Sequence, residues 1–176
     1  MFDTYFNFSL LKNTKNFSSD ILESSLYKFK TPKKVYHVIV EKYNFNVFVV
    51  KYYISDYERS KNKYNIVFKE KNVSPSKIFR TVFEIMVTIL SKNENCNFGF
   101  IGAEKIIGNK IEGKENTQRF KIYKYLCNNL IGESVFTHYE SEKQSAYLLL
   151  NNKNQTDKLL VQAKNMFEKL YPSLVD

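Results

Sequence analysis

Between Val35 and Ala103 the chain changes texture in an order that leaves few folds open. VYHVIV (35–40), NVFVVKYYIS (46–55) and KYNIVFKE (63–70) are β-branched and aromatic runs, broken by the polar stretches KYNFN and DYERSKNK. They predict three consecutive strands joined by turns, with neighbours pairing antiparallel. Asn72-Val73-Ser74-Pro75-Ser76 then reads as a helix start. Ser74 is the N-cap, and Pro75 takes the first helical position, where its missing N–H costs nothing. Ile78, Phe79, Val82, Phe83, Ile85, Met86, Ile89 and Leu90 give that helix a broad apolar face, so it packs on a core. NFGFIGA (97–103) follows as a strand whose Gly99 and Gly102 mark places where another backbone or a ligand comes close. Strand, helix and strand in succession require a crossover and a parallel neighbour.

The flanks complete the expected order. Phe6, Phe8, Leu10 and Leu11 predict a short strand or turn. Ile21, Leu22, Leu26, Tyr27 and Phe29 have helical spacing, and with Ser18, Ser19 or Asp20 as N-cap they predict a helix from about Ser19 to Lys30, ended by Pro32. A polar loop, EKIIGNKIEGKE (104–115), leads into a helix from Asn116 to about Leu130, and Gly132 breaks the chain. SVFTHYES (134–141) and SAYLLLNN (145–152) form a closing hairpin. An amphipathic helix from about Thr156 to Tyr171 ends at Pro172. The fold class is α/β or α+β: one domain, residues 1–176, with a single mixed β-sheet flanked by helices.

Composition narrows the function classes. A chain of 176 residues can bury a core without disulfides or a structural metal. Cys96 and Cys127 lack the spacing and the companion histidines of a zinc site and read as buried free thiols in a reducing cytosol. No metal is expected. The net charge of +9 favours an anionic partner: nucleic acid, an acidic protein face or a phosphorylated cofactor. Lysines are scattered, however, with KTPKK (30–34) and KEK (69–71) the densest groups. Abundant Lys, Asn, Ile, Phe and Tyr with no Trp and only 5 Gly reflect an AT-rich genome as much as a function. No apolar run approaches the ~20 residues of a bilayer-spanning helix, so no membrane partner and a cytoplasmic location are expected.

The stretch most suggestive of chemistry is ENTQRFKIYKY (115–125). Placed on one helix, Asn116 and Tyr123 lie nearly two turns apart on a single face, where an amide and a phenol can touch one elongated ligand.

That element order, with Asn116 and Tyr123 on the second central helix, resembles the GNAT superfamily of N-acetyltransferases, which move an acyl group from acyl-coenzyme A to an amine. The resemblance covers roughly residues 36–150, with an N-terminal and a C-terminal helix added. The family places a small residue three positions after the asparagine, apolar residues at the fourth and sixth, and tyrosine at the seventh. Here these are Arg119, Phe120, Ile122 and Tyr123, and Arg119 departs from the usual alanine. The resemblance implies acetyl-CoA held between the NFGFIGA strand and its preceding neighbour. Asn116, Arg119 and Phe120 would lie along the pantetheine arm, and Tyr123 would be the acid that protonates the leaving thiolate. The pyrophosphate loop falls on KEKNVSPSKIFR, where Val73, Ser74, Ser76 and Lys77 would meet the phosphates. The family's Gly-x-Gly or Gly-x-Ala is missing there. Glu70 is the expected general base, with Glu84 and His138 as other candidates.

The function so implied is an atypical acetyl-CoA-dependent N-acetyltransferase acting on a small amine or a protein lysine. The competing expectation is a non-catalytic interaction protein on the same scaffold, such as a bacterial or phage inhibitor of a host defence nuclease, covering a nucleic-acid-binding site of its partner. Direct nucleic-acid binding, with Tyr52, Tyr53 and Tyr57 as stacking platforms, ranks below both.

Overall fold

The computed structural model describes residues 4–16, 20–107, 109–154 and 156–171. Seven strands, β1 (Phe8–Lys15), β2 (Glu23–Lys30), β3 (Val35–Tyr43), β4 (Val47–Ile54), β5 (Asn97–Ile101), β8 (Phe136–Ser141) and β9 (Ala146–Asn151), form one sheet in the order β1-β2-β3-β4-β5-β9-β8. A two-residue ribbon, β6 (Ile106–Ile107) with β7 (Lys110–Ile111), lies in the loop after β5. The helices are α1 (Pro75–Lys92), α2 (Gln118–Leu130) and α3 (Thr156–Leu170). No described helix is long and apolar enough to cross a membrane.

Every pairing in the large sheet is antiparallel except β4 with β5, which α1 connects as the crossover. That parallel pair holds only over Val47↔Asn97, Phe48↔Phe98 and Val49↔Gly99, and beyond it the two strands part. Alternation assigns the faces. Tyr52 and Phe100 meet Phe79 of α1 and Tyr123 of α2 on one face. Tyr43 and Gly99, of opposite parity, meet Phe167 of α3 on the other.

Helix α1 starts as its sequence requires: Ser74 accepts from the Ser76 N–H, Pro75 is first in the helix, and Ile78, Phe79, Val82, Phe83, Ile85, Met86 and Ile89 are buried. The closing hairpin and α3 also form where expected, and both cysteines are buried thiols. Gly99 in β5 and Gly102 just after it mark close approaches. A Cβ on Gly102 would sit 2.7 Å from the Phe120 main-chain nitrogen, and one on Gly99 would sit 3.2 Å from the Phe167 ring.

Two expected elements are corrected. Residues 23–30 are a strand and not a helix, with Ser18 and Ser19 outside the described residues. Tyr27 and Phe29 are both buried, an i,i+2 pair that a strand turns to one side and a helix does not. Pairing along the whole length, from Glu23↔Lys42 to Lys30↔Val35, satisfies the backbone and outweighs the helical spacing. KYNIVFKE is not a strand of the sheet, and its contribution is one isolated bridge from Ile66 to Ile106. One edge of β4 is paired with β3 along its length and the other with β5 only over Val47–Val49, yet that apolar run does not pair beside β4 beyond that point. It instead folds over the end of β4. Pro172, the expected stop of the last helix, lies outside the described residues.

Candidate functional site

Where β4 and β5 part, a cavity of about 330 Å³ opens on the α1/α2 face beside the C-terminal end of β4. That volume is in the lower part of the range of small-molecule pockets. Tyr52 and Ile54 of β4 and Tyr36 of β3 form its floor, Ile78 and Phe79 of α1 one wall, and Arg119 and Ile122 of α2 the other. The loop Ile66–Glu70 closes it, and Lys69, Lys105 and Gln118 also line it. The interior is therefore mostly apolar, and the lysines supply positive charge.

Two charged side chains are almost wholly enclosed there. Glu70 is 8 % exposed; its Oε2 accepts a 2.7 Å hydrogen bond from the Thr31 hydroxyl, and its Oε1 is buried without a partner. Thr31 holds that position from the β2–β3 turn, where its N–H donates to the Lys34 carbonyl and its hydroxyl oxygen accepts from the Lys34 N–H. Arg119 is also 8 % exposed, with its guanidinium 4.9 Å from the centre of the Tyr52 ring. Among the described residues that guanidinium makes no ion pair and no hydrogen bond. Burial pushes the Tyr36 phenol up to about 12, the neighbouring Tyr52 and Glu70 adding to the shift and Arg119 opposing it. Burial likewise raises Tyr52, again against Arg119.

Glu70, Val73 and Arg119 are thus brought together in one lining, and the other expected residues are not. Helix α2 begins one residue past its N-cap, Thr117, whose hydroxyl accepts from the Phe120 N–H and donates to the Gly102 carbonyl. Asn116 lies before the helix at φ 50°, its N–H bonded to the Glu142 carbonyl, so the shared helical face of Asn116 and Tyr123 does not exist. Tyr123 is 6 % exposed, edge-on to Phe79 at 5.7 Å and tilted against Phe100 at 4.9 Å, and does not line the cavity. Burial raises its phenol far above the ordinary tyrosine value. With no route to a leaving group, it is not placed as an acid. Tyr52, Phe79, Tyr123 and Phe100 form a continuous row of rings from β4 to β5, so the protein itself fills that part of the gap.

Phe120 is 0 % exposed and belongs to the core. The Ser74 and Ser76 hydroxyls bond each other, and Lys77 lies 4.4 Å over the Phe6 ring instead of facing the cavity. Glu84 is ion-paired with Arg80, and His138 Nδ1 lies 2.7 Å from the Tyr147 hydroxyl. Tyr52 and Tyr53 are buried, which removes them as stacking platforms for bases. Thr31, Tyr36, Lys69 and Lys105 went unnoticed in the sequence. Only the cluster of basic residues around Thr31 and at KEK drew attention to their neighbourhood.

On the opposite face a hollow of about 460 Å³ lies between the sheet and α3, over Val49, Gly99, Ile101 and Leu148. It is larger, but among the described residues no buried polar side chain lines it. A cavity with convergent polar groups is the better candidate site. No group of His, Cys, Asp and Glu among the described residues could hold a metal ion. No family model matches the chain, and neither the curated proteins nor the solved structures give a match.

Proposed function

We propose that the chain is an atypical acetyl-CoA-dependent N-acetyltransferase whose acyl donor enters the cavity beside β4. The observation that carries this reading is the parallel β4/β5 pair that parts after three residues, with an apolar cavity and flanking lysines at the parting. A pantetheine arm suits the apolar walls of Ile54, Ile78 and Ile122, and phosphates suit Lys69 and Lys105. When bound, the donor supplies a thioester acyl group, which passes to an amine as a C–N bond forms, the C–S bond breaks, the amine loses a proton and the sulfur gains one. Glu70 is the residue this chain offers for the amine's proton. Its Oε1 has no partner within the protein, and Thr31 fixes the carboxylate's orientation. Tyr36 and Tyr52, kept neutral by burial, shape the floor.

A second reading, a non-catalytic interaction protein on the same scaffold, is favoured by one observation: the α1 N-terminus is closed by its own Ser74 and carries Pro75, leaving less main-chain N–H for phosphate. Calorimetric titration separates the two. Acetyl-CoA is expected to bind the parent chain, and Val73→Trp, which fills the cavity from its half-buried lining, is expected to abolish that binding. No heat and no thermal shift at millimolar ligand would reject the transferase and leave the interaction protein.

A further inference from the structure

Opposite charges enclosed in one cavity ordinarily find each other or a partner, because an ion taken out of water without compensation costs several kcal/mol. Here neither does. Glu70 is tied back by Thr31 at 2.7 Å, and Arg119 is stacked on Tyr52 at 4.9 Å; both line the same cavity, yet no ion pair joins them. Glu70 Oε1 is buried without a donor, and the Arg119 guanidinium, stacked on Tyr52, has no acceptor among the described residues. Ile66 and Phe68 line the same cavity.

The geometry points to a small zwitterion as the molecule recognised there: an α-amino acid with an apolar side chain, its ammonium on Glu70, its carboxylate on Arg119 and its side chain against Ile66 and Phe68. A lysine within a protein fits less well, since it brings a cation but no carboxylate for Arg119. A guanidinium is also the side chain whose planar pair of donors matches a carboxylate. The inference rests on the proposed transferase only in making this amino acid the acyl acceptor, with Glu70 taking the proton of its amine. The binding site itself stands on the two enclosed charges.

The test is calorimetry on the full chain with L-leucine, with 3-methylbutylamine, which lacks the carboxylate, and with 4-methylpentanoate, which lacks the amine. Leucine is expected to bind at least about tenfold more tightly than either analogue. Arg119→Gln should reduce leucine to the level of the amine, and Glu70→Gln to the level of the acid. Equal affinity of leucine and the amine, or no leucine binding at about 10 mM, overturns the inference, and this comparison needs only the parent chain if a variant fails to fold. Displacement of leucine by acetyl-CoA would overturn its role as acceptor, because donor and acceptor must be bound together. Leucine binding without any acetyl-CoA binding rejects the transferase and keeps the site. Acetylation of a peptide lysine without leucine binding does the reverse.

Discussion

Gly102→Ala is the sharpest single test of how α2 is seated. A Cβ there would meet the Thr117 hydroxyl oxygen at 2.5 Å and the Phe120 Cβ and main-chain nitrogen at 2.7 Å each. Two of these three atoms belong to the helix framework and cannot swing aside. Overpacking in a tight core costs about 1–3 kcal/mol, and contact with main chain belongs at the upper end. The same methyl pushes on the Thr117 cap, whose loss costs about 1 kcal/mol. Against this, alanine restricts the unfolded chain and returns about 0.4–1 kcal/mol. The net loss is about 3 kcal/mol, which for a chain of this length lowers Tm by about 6–12 °C. Gly113→Ala is the control: no atom lies within 4 Å of its Cβ, and only the unfolded-state gain of about 0.4–1 kcal/mol applies. Urea unfolding of the two variants reads both numbers. A Gly102→Ala chain within about 0.5 kcal/mol of the parent would show that α2 does not press on Gly102 and that the placement of Arg119 has another cause.

Tyr123→Phe removes a hydroxyl that makes no hydrogen bond among the described residues, so stability by urea unfolding should change by less than about 0.5 kcal/mol. Any acetyl transfer measured for the parent should persist; its loss would restore the phenol as an acid. Burial pushes the Cys96 and Cys127 thiols each up to about 12, so an aromatic disulfide reagent at pH 8 should label neither in the native chain and both in denaturant. Fast native labelling would contradict the packing. Burial lowers the His138 value below its ordinary 6.5, with Glu133 opposing. Its folded value therefore lies under its unfolded one, and the stability linked to it is complete above about 6.5 and lost as pH falls through the folded value. Thermal melts from pH 8 to pH 5 should fall more steeply for the parent than for His138→Gln, and parallel curves would remove this linkage.

What the sequence disclosed was governed by whether local signals and tertiary pairing agreed. Helix α1 was readable because cap, proline and apolar face all sit within residues 74–90, and the crossover followed from it. Residues 23–30 were not, since their apolar spacing fits a helix while their pairing with β3 makes them a strand. KYNIVFKE has every local mark of a strand, yet its pairing is the single bridge from Ile66 to Ile106. At the site, Glu70 and Val73 were visible from their position before α1. Arg119 stood out as a departure from an expected alanine. Thr31 and Lys105 come from a hairpin turn and a long loop, and nothing in their local sequence says that the topology carries them to α1 and α2.

The start of α2 explains why recognition at this site falls to side chains. A helix N-terminus is ordinarily a ready anion site, because its first N–H groups lack partners. Here the Gln118 N–H is taken by the Glu112 carboxylate and the Phe120 N–H by Thr117. The Thr117 N–H goes to Ser145, and Asn116 is bonded to the β8–β9 turn. These bonds occupy the N–H groups of Asn116, Thr117, Gln118 and Phe120, and with Gly102 they fix the phase of the helix, so that Phe120 and Tyr123 turn inward to the core while Arg119 and Ile122, three residues apart, share the side that lines the cavity. Capped at Thr117, the helix offers a guanidinium, and a ligand must then answer it with an anion and answer Glu70 with a donor.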